Sequence, residues 1–430
     1  MGYSLAMIWR PRFYGGLLIA VILSLLSSSH CQETSPLHLT PPSVPVPASY
    51  FGVHLHAFTP QSWPQIPSSE LRLWDTKGTI WYTLEPRRGQ WNFNQLDQDL
   101  NMAEQHHTGL LLTLGQTPPW ASPRPNDPPS YRPGATAPPS DEEDWKTYVQ
   151  TVAVRYQGRI RAYEIWNEPN LKEFYSGTRE QLFALAKDAY QIIHETDPTA
   201  VVVSPSITGA YDIGWLGHYL DLGGGKYADV IGYHFYSSPH PPEVEVSVIQ
   251  QVRAVMRSHG IDKPLWDTES GYLIKSDLES FAPEKGTLSR ILTPEESVAY
   301  VMRAYILNWA SGVSRFYWYD WDGNRMGLGD NSGKQKKPAA YAYTTIQQWL
   351  VGAVVQSCDS DSEENWTCEL SRNKRREWIV WNAEKSGTKT IPESWTARRF
   401  TTLSSNGSAV TDKVPASRLI TFSQIPTLLQ

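Results

Sequence analysis

The sequence predicts a (β/α)8 barrel followed by a small C-terminal β-sandwich-like domain. Eight β-prone segments alternate with helical patterns between residues 50 and 350. Residues 351–430 instead contain short β-prone segments separated by Gly, Asn, Ser and charged turns. The alternative is a doubly wound open sheet, but no Gly-rich phosphate loop follows the first predicted strand.

The predicted strands are short runs of aliphatic, aromatic and β-branched residues bounded by polar loops. They lie at residues 50–55, 71–75, 110–114, 161–166, 201–204, 230–234, 265–268 and 314–318. The predicted helices have apolar residues at a period near 3.6, and they lie at residues 94–106, 144–156, 179–195, 213–222, 243–259, 294–310 and 337–350. Asp141 and Thr293 stand where N-caps belong, and Thr293 opens a capping box with Glu296.

The N-terminus has the composition of a secretory signal peptide, predicted at residues 1–31. Arg10 and Arg12 precede an apolar run at residues 17–26, which is too short to span a bilayer. An uncleaved anchor and a lipid on Cys31 are the alternatives. Residues 32–49 contain five prolines and are predicted to form an extended spacer. We therefore expect a secreted or periplasmic protein with no membrane contact after signal removal.

Composition excludes some partners and predicts one covalent link. The net charge is −6 and no basic patch is evident, so nucleic acid is not an expected partner.

Cys358 and Cys368 lie ten residues apart in a polar, hairpin-like stretch, and in an exported protein they favour a disulfide. Many of the 18 Trp and 22 Tyr residues belong to a large core, while some of these flat rings could stack on sugars.

Two glutamates end predicted strands in the same way. Glu168 lies in Trp-Asn-Glu-Pro after the fourth strand, where Pro169 disfavours helical backbone angles. Glu269 lies in Trp-Asp-Thr-Glu at the end of the seventh. Active residues of a barrel gather at the C-terminal strand ends, so the two carboxyl groups are expected to face each other. Such a pair can cleave a glycosidic bond: one group protonates the leaving oxygen, while the other attacks the sugar or activates water.

These motifs resemble the two signatures of clan A retaining glycoside hydrolases. Arg72 in Leu-Arg-Leu-Trp-Asp and the segment from His234 to Tyr236 resemble two further features of the clan. Residues 72–96, with Trp-Tyr-Thr-Leu-Glu-Pro and Gly-Gln-Trp, are most similar to family 39, which contains β-xylosidases, α-L-iduronidases and bacterial exopolysaccharide hydrolases. The resemblance covers roughly residues 50–352.

The resemblance implies a role for each matched residue. Glu168 is expected to be the general acid/base and Glu269 the nucleophile, with Tyr236 orienting Glu269. Asn167 is expected to bond the hydroxyl next to the anomeric carbon, and Arg72 to support the nucleophile electrostatically. Further substrate-binding residues are expected at His234, at His56 on the first strand, at Trp120 and at Trp318 as a platform, with Trp321 as the alternative to Trp318.

Several of these residues also have structural interpretations. Glu164 shares the strand parity of Glu168 but lies deeper, which predicts a buried, paired acid. His54 and His56 form a His-x-His pattern, but no third ligand is evident, so no metal is expected. The proline-rich loop at residues 115–140, with Trp120 and Tyr131, either lines substrate subsites or forms a rigid brace.

The predicted function is therefore a secreted retaining glycoside hydrolase that cleaves a poly- or oligosaccharide by double displacement and needs no cofactor. A catalytically silent carbohydrate-binding barrel and a transglycosylase are the alternatives. The small β-domain is expected to cover the edge of the barrel, with an independent binding module as its alternative.

Overall fold

A computed structural model describes residues 36–60, 62–127, 132–275, 290–323, 325–330 and 332–430. The predicted signal peptide and the predicted subsite residue Tyr131 lie outside the described residues. Among the helices of the described part, none combines the length and apolarity needed to cross a bilayer.

Eight parallel strands form a closed barrel, as predicted. In the order of the chain they are Phe51–His54, Glu70–Leu73, Gly109–Leu114, Ala162–Ile165, Val201–Val203 with Ile207–Thr208, Ile231–His234, Leu265–Ser270 and Val313–Trp318. The two edges of the sheet, Val201–Val203 and Ile207–Thr208, are consecutive parts of the fifth strand. The sheet therefore closes on itself, and among the described residues no barrel strand is left with an open edge.

Helices alternate with these strands along the chain. They are α1 (Trp81–Leu84), α2 (Asn94–Gln105), α3 (Glu142–Arg155), α4 (Arg179–Thr196), α5 (Ile213–Asp221), α6 (Glu243–Ser258), α7 (Pro294–Ala310) and α8 (Pro338–Leu350), with 3-10 turns at Ala48–Tyr50 and Gly224–Tyr227. The predicted N-caps are confirmed, because Asp141 accepts a bond from the Glu143 N–H and Thr293 forms a reciprocal capping box with Glu296. The single-turn helix α1 was not predicted.

The C-terminal part forms a sheet of seven strands. In spatial order these are His38–Leu39, Val354–Ser360, Asn365–Arg372, Arg375–Asn382, Thr427–Leu429, Arg399–Leu403 and Ala409–Lys413. The strands Gly387–Thr390 and Leu419–Phe422 form a separate pair, and Leu273–Ile274 and Ile291–Leu292 form another beside the barrel. Cys358 and Cys368, directly opposite each other on neighbouring strands, form the predicted disulfide.

Side chains of the strand Arg375–Asn382 alternate between two buried clusters, one on each face of the seven-stranded sheet. Ile379 and Trp381 belong to the same buried cluster as the barrel core. Trp378 and Val380 point the other way, into a second cluster with Ile420 and other residues of the two-stranded pair. Successive side chains of a strand leave opposite faces, so this pattern places the seven-stranded sheet between the barrel and an outer layer.

The described part of the predicted spacer is not a free linker. His38 and Leu39 pair with Asp359 and Cys358 and so add an edge strand to the C-terminal sheet. Val46 then forms a bridge with Val351. The spacer prediction is therefore wrong for these residues, because proline-rich chains can still supply single residues to a sheet edge that needs partners.

The buried carboxyl group of Asp99 in helix α2 predicts a pH-dependent stability. Asp99 is fully buried and accepts one bond, 2.7 Å long, from Gln95. Burial raises its pKa to about 7. Between about pH 4 and pH 7 the folded chain binds a proton that the unfolded chain has lost, so this residue makes stability fall as the pH rises.

We expect Asp99→Asn to stabilise the protein more at pH 8 than at pH 5, by roughly 2–3 kcal/mol, because the amide does not ionise. Urea unfolding at the two pH values measures the difference. Asp97→Asn on the same helix is the matched control. Hydrogen bonds from Arg155 lower the pKa of Asp97, so its contribution is the same at both pH values. An equal effect of Asp99→Asn at pH 5 and pH 8 would contradict the prediction.

Candidate active site

The backbone at the end of the fourth barrel strand is irregular. Trp166 and Glu168 have positive φ angles of 66° and 42°, which are uncommon for residues other than glycine. The Glu168 N–H donates to the carbonyl of Ser206, 2.9 Å away, and this bond ties the turn to the fifth strand. The turn interrupts strand alternation, so the side chains of Asn167 and Glu168 both reach groups inside the barrel mouth.

The seventh strand brings its glutamate to the same place by another irregularity. Asp267 pairs with Phe316 and Ser270 pairs with Trp318, so the seventh strand has one extra residue in this interval. Thr268 bonds Ser206 inside the barrel, and Glu269, the next residue, bonds Arg72 there as well. A regular strand would direct these two neighbours to opposite faces, and the bulge directs both of them inward.

The two predicted catalytic glutamates therefore lie together. One carboxylate oxygen of Glu168, one of Glu269 and a ring nitrogen of His234 all lie within 4.8 Å of one another. Glu168 and Glu269 keep 7% and 8% of their surface exposed, so both carboxyl groups are almost entirely enclosed by protein. His234 Nδ1 lies 2.8 Å from Glu168 Oε1. His234 thus contacts the predicted acid/base directly, a contact that the sequence did not reveal.

Arg72 joins three of the predicted residues. Its Nε donates to Glu164 over 2.8 Å, its Nη1 to Glu269 over 2.5 Å and its Nη2 to Asn167 Oδ1 over 2.6 Å. The guanidinium group is fully buried. Arg72 therefore compensates the charge of the predicted nucleophile. It also fixes the orientation of the Asn167 side chain: the Asn167 oxygen accepts from Arg72, and the NH2 group of Asn167 remains as a hydrogen-bond donor.

Glu164 is the buried, paired acid that its strand position predicted. It is fully buried, and it accepts bonds from Thr113, 2.6 Å away, and from Ser206. Burial alone would raise the pKa of Glu164, but the charge of Arg72 and these hydrogen bonds outweigh it and lower the pKa. Glu164 is therefore an ionised partner for Arg72 beneath the glutamate pair.

Tyr236 contacts Glu269 as the resemblance implied. Its hydroxyl group donates to Glu269 Oε1 over 2.8 Å. Burial, followed by the charges of Glu269 and Glu168, raises the pKa of Tyr236 well above its ordinary value. The hydroxyl group therefore stays protonated and remains a donor to the carboxylate.

The structure does not support Trp318 as an exposed platform. Trp318 is fully buried and lies beside Phe316 and Tyr272 in the layer between strand and helices. Tyr317 instead packs against Trp266 inside the barrel, so the parity of the eighth strand directs Trp318 outward. Trp321, the alternative, is also fully buried. The partly exposed aromatic residue at this strand end is Tyr319.

His56 lies among acidic groups that the sequence analysis missed. Its Nδ1 lies 3.1 Å from Asp322 and 3.2 Å from Asp320, and its Nε2 lies 2.9 Å from the Tyr319 hydroxyl group. Burial alone would lower the pKa of His56, but Asp322, Asp75 and Asp320 outweigh it and raise the pKa to about 9. The sequence could have predicted part of this cluster, because regular strand alternation places Tyr319 on the same face as Arg315 and Tyr317.

The expectation that the His-x-His pattern has no third partner was wrong. Asp75 lies beside both rings, 2.7 Å from His54 Nε2 and 3.7 Å from His56 Nε2. These three residues and the group of Glu168, His234 and Glu269 each have a spacing that could hold a cation. The carboxyl groups around His56 contact its ring directly, so in this structure the first cluster is a network of hydrogen bonds and ion pairs.

Trp120 lies on the long loop after the third strand, and contacts with neighbouring residues fix its side chain. Its indole N–H donates to the Glu85 carbonyl over 2.8 Å, and Arg88 lies 5.2 Å from its ring centre. The loop is braced internally, since the Ser140 N–H donates to the Ala121 carbonyl over 2.9 Å. These bonds favour the brace interpretation, while a substrate contact by the half-buried Trp120 remains a prediction.

Comparison with known proteins supports the resemblance deduced from the motifs. Residues 86–262 match the model of Glycosyl hydrolases family 39. A β-xylosidase of Geobacillus stearothermophilus is 26% identical over 153 residues, which are 30% of this chain and 30% of that enzyme. The predicted similarity to family 39 is thus confirmed over a segment that includes Glu168, while Glu269 lies beyond it. The match spans less than a third of the curated relative's length.

Solved structures support the fold over nearly the whole chain. A GH30 endoxylanase of Clostridium papyrosolvens superposes with a TM-score of 0.62 at 13% identity, covering 92% of this chain and 99% of that one. A monomeric β-xylosidase of Caulobacter crescentus superposes with a TM-score of 0.59 at 14% identity, covering 90% and 97%. Both comparisons concern the fold alone, and they include the C-terminal sheet as well as the barrel.

We predict that Glu164→Gln lowers the free energy of unfolding by about 3 kcal/mol, because it removes a buried charge paired with Arg72. Thr113→Val is the matched control. It deletes a single hydrogen bond to the same carboxylate and should cost about 1 kcal/mol. Midpoints of urea unfolding compare the two variants. A smaller loss for Glu164→Gln than for Thr113→Val would show that the ion pair is not the stabilising interaction.

Proposed function

We propose that this protein is a retaining glycoside hydrolase that works by double displacement, with Glu269 as nucleophile and Glu168 as general acid/base. The observation that carries the proposal is the separation of at most 4.8 Å between oxygens of the two carboxyl groups. Retaining enzymes hold the two carboxyl groups about 5–5.5 Å apart, and so close an approach of one oxygen from each group supports this spacing over the separation of at least about 6.5 Å that inverting enzymes need to admit water.

In the first step, Glu269 Oε attacks the anomeric carbon and the bond to the leaving oxygen breaks. Glu168 gives its proton to that oxygen, so the aglycone leaves as an alcohol. Tyr236 and Arg72 each hold one oxygen of Glu269, which restricts the carboxylate to one orientation. Such fixed orientation lowers the entropic part of the barrier.

In the second step, Glu168 acts as a base. It takes a proton from water, the water oxygen attacks the anomeric carbon, and the bond to Glu269 breaks. His234 bonds Glu168 on the side away from solvent and keeps the carboxyl group in place through both transfers. The product keeps the anomeric configuration of the substrate, because two inversions occur at one carbon.

The proposed substrates are β-linked xylosides of oligo- or polysaccharides. This choice rests on the β-xylosidase identity of the partly matching relative. We also propose that the protein is exported: the disulfide between Cys358 and Cys368 and the signal-like N-terminus support an oxidising compartment. The C-terminal sheet shares its core with the barrel, which favours a covering role over an independent binding module.

The two alternatives stated in the sequence analysis, a carbohydrate-binding barrel and a transglycosylase, differ from a hydrolase in their products. A carbohydrate-binding barrel without turnover would bind xylan or xylobiose and release no reducing sugar. A transglycosylase would form the same covalent intermediate, but it would transfer the sugar to another saccharide instead of water. Chromatography of products at low and high acceptor concentrations separates hydrolysis from transfer.

We expect Glu269→Gln to lower kcat on 4-nitrophenyl β-D-xyloside by roughly 1,000-fold or more, because an amide is a poor nucleophile. Glu195→Gln, at an exposed position of helix α4, is the control and should retain full activity. Proton NMR of early products should show retained configuration in the wild type. Inverted product, or full activity of Glu269→Gln, would overturn the mechanism.

Glu168→Ala should affect poor leaving groups most. Loss of the acid should slow release of unactivated alcohols by roughly 100- to 10,000-fold, whereas 2,4-dinitrophenol needs little protonation and should leave rapidly. Comparing kcat/KM for xylobiose and 2,4-dinitrophenyl β-D-xyloside measures this contrast. Equal losses on both substrates would argue against Glu168 as the acid.

A further inference from the structure

The start of helix α6 carries a carboxyl group that lies behind the candidate site. Glu245 is 1% exposed. Its Oε1 lies within hydrogen-bond distance of the Ser237 hydroxyl group, 3.1 Å away, and of the Tyr272 hydroxyl group, 3.2 Å away. Its Oε2 accepts a bond of 2.7 Å from Asn308 in helix α7. No step of the proposed mechanism uses this carboxyl group.

Two partners of Glu245, Ser237 and Tyr272, belong to the two loops that hold the proposed nucleophile. Ser237 directly follows Tyr236, the residue that bonds Glu269. Tyr272 lies three residues after Glu269, and its hydroxyl group is also bonded to Ser237. A single buried carboxyl group therefore joins the loop after the sixth strand to the loop after the seventh.

The C-terminal sheet holds the same helix end from the outside. The Trp381 indole N–H donates to Glu243 Oε1 over 2.9 Å. Arg303 of helix α7 donates to Glu243 Oε2 over 2.8 Å and to the Ala383 carbonyl over 3.3 Å. The first turn of α6 is thus fixed between the small domain and the site, with Glu243 facing outward and Glu245 inward.

We propose that Glu245 is a positioning residue for the nucleophile: it locks the two loops together and so holds Tyr236 against Glu269. This inference rests on the proposed function. Burial raises the pKa of Glu245 to about 8, so near neutrality the group is a neutral carboxyl that glutamine can imitate. Leucine has a similar volume but makes no hydrogen bonds.

The test measures the rate of attack by Glu269 in a reaction that hardly needs the general acid. Trapping by 2,4-dinitrophenyl 2-deoxy-2-fluoro-β-D-xyloside depends on attack by Glu269 and hardly on Glu168. We expect Glu245→Leu to slow trapping by roughly 10- to 100-fold, since small displacements of reacting groups have effects of this size. Glu245→Gln should restore most of the rate. KM for 4-nitrophenyl β-D-xyloside should change little, because Glu245 does not contact the sugar site.

Two controls separate positioning from a general loss of structure. Ile249→Ala removes buried atoms from the same helix without touching the hydrogen bonds, so it should lower stability and leave trapping unchanged. Ser237→Ala removes the hydrogen bonds to Glu245 and Tyr272 with a minimal change in size, and it should slow trapping even if Glu245→Leu does not fold. If Glu245 acts through Tyr236, adding Tyr236→Phe to Glu245→Leu should cost less than the product of the single effects.

The outcomes distinguish the two proposals. A wild-type protein that neither cleaves the aryl xyloside nor is trapped would overturn the proposed xylosidase function. A wild type that is trapped normally, with Glu245→Leu or Ser237→Ala trapped at the same rate, would overturn the positioning role alone. Slow trapping of Ile249→Ala to the same degree would also overturn it, because helix packing would then explain the loss.

Discussion

The site depends on one buried cation. Arg72 lies inside the barrel with no exposed surface, and its guanidinium group donates to Glu164, Glu269 and Asn167. A buried charge without partners would be strongly destabilising, so the fold requires carboxylates around Arg72. Glu164, which lies deeper in the barrel, supplies one of these carboxylates. The second carboxylate, Glu269, faces the barrel mouth, and the same ion pair that stabilises the core therefore also orients the proposed nucleophile.

Irregular backbone is the second constraint. A regular strand directs alternate residues outward, yet Asn167 and Glu168, and likewise Thr268 and Glu269, reach inward as neighbours. Left-handed angles at the end of the fourth strand and a bulge in the seventh make this possible. Such features are tolerated when surrounding contacts determine them, and here bonds to Ser206 and Arg72 supply those contacts. The proposed chemistry thus lies where two strands depart from ideal geometry.

Much of the fold followed from local patterns. Every predicted barrel strand and helix is present, because apolar periodicity and capping residues act over a few neighbouring residues. Errors arose where distant segments meet. The spacer supplies an edge strand to a sheet formed more than 300 residues later, which its own composition does not encode. The platform prediction for Trp318 failed because it relied on matching a motif, whereas strand parity selects Tyr319.

The sequence by itself determined the order of elements, the two glutamates at strand ends, the disulfide and the resemblance to family 39. These properties depend on residue type and on spacing along the chain. Only the tertiary structure decided which groups surround His56, that His234 bonds Glu168, and that Glu245 joins two active-site loops. Barrel closure brings together side chains far apart in sequence, and their charges and pKa values depend on those neighbours rather than on local pattern.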